Sequence, residues 1–299
     1  MKRFLIHIIL FAILFFIVDR AFCFFIQNAP KKEYDKRLQY IIDGEMNKDI
    51  IILGSSRGAN NVVAKQIEDS TGFSTYNLSY RGSDVSFHKF LLESVLKFNK
   101  QPKKVMLVLD SGYEFNDVPT LNFRFDRLYP LKNYSYINNK LIEDKKQNRL
   151  SKMFCLARIK QKDFNLKANK VLPINVMTSH GSKINSQKGD ATLVYGNGYK
   201  PYEIDKENLS KINDLEAIQN ICKENEIELI FVFPPNFKSF DGSFYERFSS
   251  LIKKENRIMI YDTMDVRYTD SKYFRDESHL NKKGAEIFTN EMIQFINSK

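Results

Sequence analysis

At 299 residues the chain suits one large α/β core with an appendage, or two small domains. Hydrophobic residues at 43%, among them 25 Phe and 15 Tyr, can fill such a core, and 27% charged residues exclude a multi-span membrane protein. The net charge of +10 is scattered as lysine pairs with no long run and no Arg-rich helix, which argues against nucleic acid as a partner. It leaves a solvated Lys-rich surface, with anionic lipid headgroups or an acidic glycan as the sharper alternatives.

The chain opens with Lys2 and Arg3, then runs apolar from Phe4 to Val18 apart from His7, and resumes from Ala21 to Ile26 after Asp19 and Arg20. At a rise of about 1.5 Å per residue this is long enough to cross about 30 Å of hydrocarbon, with Arg20 snorkelling or pairing with Asp19. A cleaved signal peptide shares the basic start and the apolar run. No small-x-small cleavage site follows, however, and Arg20-Ala21-Phe22 before Cys23 is no lipoprotein site, so the reading is an uncleaved anchor. Lysine and arginine flank both ends (Lys2 and Arg3; Lys31, Lys32, Lys36 and Arg37), and the positive-inside count does not settle orientation. Of the three cysteines, Cys23 lies in this apolar segment, so one intramolecular bond at most, Cys155 to Cys222, is open, and all three read as small apolar side chains.

Beyond a polar stretch at 31–48, a stalk or a first helix, a strand–turn–helix rhythm begins. Asp49 to Leu53 is a continuous β-branched run, as expected of a strand buried on both faces. Further strands are predicted at Ser74 to Leu78, Lys104 to Leu109, Glu228 to Phe233 and Arg257 to Tyr261. Apolar spacing of three and four predicts helices at Asn60 to Ser70, Ser86 to Phe98, Leu209 to Asn225, Gly242 to Lys254 and Lys282 to Asn297. The alternation implies a three-layer α/β/α sandwich on a parallel sheet. From Ser111 to about Ser210 the rhythm fails in a segment rich in Asn, Lys, Tyr and Phe, with a Gly-marked turn at Gly196 to Pro201. The expected organisation is therefore an anchor at 1–30 and one domain at 31–299 with an insertion at about 113–210, a cap or lid.

Ser56 follows the first strand in Gly54-Ser55-Ser56-Arg57-Gly58, at the carboxyl end where open parallel sheets place ligands. The chain has four histidines. His7 is in the anchor, His88 lies four residues after Asp84 on an amphipathic helix, and His180 has no obvious partner in the insertion. His279 stands three residues after Asp276, a spacing at which a carboxylate can orient an imidazole that takes a serine proton. Gly54 to Gly58 also satisfies the nucleophile elbow of α/β-hydrolases, but there the serine follows several strands and the acid and base lie on separate loops. No ligand cluster for a metal and no dinucleotide or P-loop glycine signature appears, so no cofactor is expected.

A Gly-x-Ser after the first strand with an Asp-x-x-His before the last helix resembles the SGNH/GDSL hydrolase superfamily, in its membrane-anchored cell-surface form. The resemblance implies a flavodoxin-like parallel sheet, Ser56 as nucleophile, and His279 and Asp276 as its base and orienting acid. Asn77 to Gly82 is similar to the family's second block, which implies an oxyanion hole of the Ser56 and Gly82 amides. The third block departs from the family pattern: Leu109-Asp110-Ser111-Gly112-Tyr113 replaces its Gly-x-Asn-Asp, and the nearest asparagine is Asn116. Arg57, Asn77, Asp110 and Asn116 are candidate substrate-binding residues. The implied activity is an esterase that removes an acyl group, acetyl by preference, from an extracytoplasmic polysaccharide or cell-wall polymer. The alternatives are an O-acyltransferase, or a catalytically weak glycan-binding module of a surface-polymer export system.

Overall fold

The computed structural model describes residues 1–168, 170, 176–186, 192–198 and 201–298. Tyr199 and Lys200 of the Gly196 to Pro201 turn lie outside them. Two compact units divide the chain, Met1–Gln39 with Arg124–Val171, and Tyr40–Phe123 with Leu172–Lys299, so the insertion expected at 113–210 is shared between them.

The second unit is an α/β fold on a five-stranded, wholly parallel sheet of order β2-β1-β3-β4-β5. Its strands are β1 (Ile50–Gly54), β2 (Thr75–Asn77), β3 (Lys104–Val108), β4 (Glu228–Phe233) and β5 (Arg257–Ile260). This is the doubly wound, flavodoxin-like order, whose direction of winding reverses between β1 and β3. Period-two alternation divides the strand residues between the two faces. Ile50, Ile52, Met106, Val108, Ile230 and Val232 pack with Phe288 and Met292 of α10 (Lys282–Asn297) and Ile67 of α4 (Ala64–Thr71). On the other face Phe231 meets Phe248 of α9 (Gly242–Leu251) edge-on at 5.1 Å, and α5 (Val85–Phe98) packs against α8 (Leu209–Glu224). Each fully buried Ile or Phe removes enough apolar surface to contribute about 2–3 kcal/mol.

The helix expected from Asn60 to Ser70 is two helices, α3 (Ser56–Asn61) and α4, because Val62 takes an extended conformation with φ −120°. Adjacent β-branched Val62 and Val63 favour that break. A two-stranded antiparallel sheet, β6 (Phe274–Asp276) with β7 (His279–Leu280), is an addition to the expected strands.

In the first unit, α1 runs from Lys2 to Lys32, well past the apolar stretch. Residues 1–18 are exposed, whereas Asp19, Ile26, Ala29 and Pro30 are buried against short helical turns of the same unit. Those turns are Tyr129–Leu131, Leu156–Arg158 and Gln161–Phe164; the unit also holds α6 (Phe125–Leu128) and α7 (Ser135–Glu143), and α2 (Arg37–Ile42) follows α1 in the chain. The cysteine expectation is corrected here: Cys23 is bonded to Cys155, with Cα atoms 5.2 Å apart, and Cys222 is free and buried. The expectation failed because it confined Cys23 to lipid, while one side of the second half of α1 packs against protein.

Candidate active site

Gly54 ends β1 with φ +150°, and a Cβ there would stand 2.8 Å from the Val108 carbonyl of β3. Only glycine therefore lets β1 turn so close to β3. Ser55 caps α3 by accepting from the Arg57 amide at 3.3 Å, and Ser56, the first residue of α3, is left partly exposed at the sheet's carboxyl edge. The β6–β7 hairpin brings the other two groups from the far end of the sequence. His279 Nε2 lies 2.8 Å from Ser56 Oγ. His279 Nδ1 lies 2.8 and 3.0 Å from the two carboxylate oxygens of Asp276. A carboxylate only accepts, so Nδ1 carries the proton and Nε2 is left to accept from the serine hydroxyl.

Asp276 Oδ1 also accepts from the Ser278 and His279 amides at 3.0 Å each. Partial burial alone would raise its pKa, but the His279 hydrogen bond, the imidazole's charge and the Ser278 amide together hold it below the ordinary carboxylate value. Gly82 follows Arg81 in the turn after β2 with φ +71°, and the same turn is tied to the Gly54–Ser56 turn: the Tyr80 amide and Ser83 Oγ both donate to the Gly54 carbonyl, at 2.9 and 3.1 Å.

A cavity of about 470 Å³ opens beside this row, lined by Glu277 and Ser278 of the hairpin, Arg57 and Asp110. Arg57 is buried and donates to the carbonyls of Leu109 (3.3 Å), Pro234 (2.6 Å) and Pro235 (3.2 Å), tying α3 to the ends of β3 and β4. Asp110, which burial pushes up in pKa, is opposed by the charges of Arg57 and His279. Asn116 lines the cavity and donates to the Gly112 carbonyl at 3.2 Å, while its buried Oδ1 has no hydrogen-bond partner among the described residues. Asn77 is corrected as a substrate-binding candidate. It is fully buried and lies outside the cavity wall, with Nδ2 donating to Gly58 (2.9 Å) and Val62 (3.3 Å) and Oδ1 accepting from Ser79 at 3.0 Å. It latches β2 to α3.

The other histidines have partners that sequence reading missed. His88 is buried with Nε2 2.8 Å from Ser83 Oγ, and burial depresses its pKa to about 3. Asp84 beside it caps α5 through the Phe87 amide, so the rival pair has no open site. His180 pairs with Glu68 at 3.2 Å. Sequence reading also missed Tyr202, Asn236, Lys238 and Asp241 in the cavity wall. The Pro234-Pro235-Asn236 break directly after β4 was a usable signal, since the carboxyl ends of parallel strands gather ligand-binding loops.

No family model and no curated protein matches the chain. Among solved structures it is similar to a presumed acylhydrolase from Bacteroides fragilis NCTC 9343, with 11% identity, a TM-score of 0.41, and coverage of 90% of this chain and 96% of that one.

Proposed function

We propose that the chain is a Ser-His-Asp acyl-ester hydrolase or acyltransferase of the SGNH/GDSL type, held at the membrane by α1 with its second unit on the extracytoplasmic side. The observation that carries the reading is the unbroken hydrogen-bonded row Ser56–His279–Asp276 at the edge of a cavity. In this reading Ser56 Oγ attacks an ester carbonyl while His279 Nε2 takes its proton, and Asp276 stabilises the imidazolium. The Ser56 and Gly82 amides receive the oxyanion. Collapse expels the alcohol, protonated by His279, and water or a second hydroxyl then releases the acyl group from Ser56.

Four carboxylates (Asp110, Glu203, Asp241, Glu277) against two cations (Arg57, Lys238) line the cavity, with Tyr113, Tyr202 and two asparagines. That lining suits an uncharged or amino-bearing, hydroxyl-rich alcohol, an O-acylated glycan for example, better than an acidic one. The disulfide supports an oxidising compartment, and the burial of Asp19, Ile26, Ala29 and Pro30 against protein supports a retained helix rather than a discarded leader.

The test is hydrolysis of p-nitrophenyl acetate by the detergent-solubilised full chain, with fluorophosphonate labelling alongside. Ser56→Ala is expected to abolish labelling and to lower turnover by about 10⁴-fold or more. Folded wild-type protein that neither turns over nor labels would overturn the serine-esterase reading and leave the glycan-binding one.

A further inference from the structure

The part of α1 that is exposed without interruption is short for a membrane span. Residues 1–18 are exposed, a length of about 27 Å, and Phe4 to Val18, about 22 Å, is apolar apart from His7. A hydrocarbon core is about 30 Å thick. The missing depth falls where the first unit closes on the helix. There Phe154 packs edge-on against Phe15 at 5.5 Å, Arg20 donates to the Met153 carbonyl at 3.0 Å, and the Leu156 amide donates to Asp19 at 2.9 Å. The Cys23–Cys155 bond fixes the same stretch to the helix. The loop at 149–158 is thus held at the level where α1 leaves the bilayer. It presents Leu150, Met153 and Leu156 outward, at 54, 70 and 43% exposure, with Arg149 and Lys152 exposed between them.

We infer that the 149–158 loop is a second, interfacial membrane contact. Leu150, Met153 and Leu156 enter the boundary between headgroups and acyl chains of the leaflet from which α1 emerges, and Arg149 and Lys152 meet anionic lipid phosphates. Continuity with the membrane-facing half of α1 selects lipid as the occupant, and the interleaved cations match an anionic headgroup. A short span pulls flanking protein toward the bilayer, so the loop supplies the apolar depth that the helix lacks. The inference takes the retained anchor from the proposed function and nothing from its chemistry.

The chain has no tryptophan, so a single introduced one reports without background. Full-length Met153→Trp and Phe11→Trp are reconstituted in phosphatidylcholine vesicles containing phosphatidylglycerol, with and without bromine on the upper acyl carbons. Both are expected to lose at least half their emission to brominated lipid. Quenching at position 11 alone would overturn the loop contact and leave the anchor standing; quenching at neither would overturn both. Blue-shifted emission at position 153 that ignores bromine would mean that a protein covers the loop, which also overturns the inference. Adding Arg149→Glu and Lys152→Glu is expected to weaken quenching at position 153 about twofold, and an unchanged value would remove the cations from the account.

Discussion

Glu114 is buried with one carboxylate oxygen on the Asp110 amide at 2.8 Å and the other without a hydrogen-bond partner among the described residues. Burial, and then the neighbouring Asp110, push its pKa well above the ordinary value of 4.5. Across that window the folded chain holds a proton that the unfolded chain has released, so stability falls as pH rises through it. Glu114→Gln keeps an acceptor for the Asp110 amide and removes the charge. It is expected to raise the melting temperature at about pH 8 by about 2–4 °C, roughly 1 kcal/mol, and to leave it unchanged at about pH 4. An equal gain at both pH values would show that the effect is not titration. Asp276→Asn should act on chemistry instead: a donor facing Nδ1 reverses the imidazole tautomer, and turnover should fall by about 10³–10⁴-fold with the melting temperature nearly unmoved. The hydrogen-bonded row of Ser56, His279 and Asp276 was legible because so few histidines compete and the Asp-x-x-His spacing is local. Glu114 was not, because nothing in Gly112-Tyr113-Glu114 announces that its carboxylate turns inward.

The hairpin carrying Asp276 and His279 is positioned by the start of α10. Asn281 caps that helix by accepting from the Gly284 amide at 3.2 Å and donates back to the Lys272 carbonyl at 2.6 Å. Asn281→Ala is expected to cost about 1–2 kcal/mol in urea unfolding, with activity lost at correspondingly lower denaturant. An unchanged midpoint would mean that the hairpin stands without its cap. All five sheet strands were legible, β1, β3 and β4 as continuous apolar runs buried on both faces and β2 and β5 from their place in the strand–helix alternation, and α10 was read to the residue. The loops that wall the cavity were legible in part, through Asp110 and Asn116. Tyr202 comes from the insertion and Lys238 and Asp241 from the stretch after β4, segments with no periodicity, whose meeting is set by the fold around them.

For the molecule as a whole, the cysteine pairing is the feature most open to direct measurement. Unreduced, denatured chain treated with a polymer-tagged maleimide is expected to gain one adduct, at Cys222, and three after reduction. Three adducts before reduction would count against an oxidising compartment. On the proposed retained anchor, the intact mass of the purified protein should likewise include Phe4 to Val18, whereas a chain starting beyond Val18 would show the helix to be a leader. The hydrogen-bonded row also joins distant stretches of the chain, since Ser56 and His279 are separated by 223 positions. During vectorial synthesis Ser56 emerges well before the β6–β7 hairpin. On the proposed chemistry, a chain stalled between the two carries an unactivated hydroxyl, and its nucleophile is armed only once the hairpin has been made and has folded onto α3.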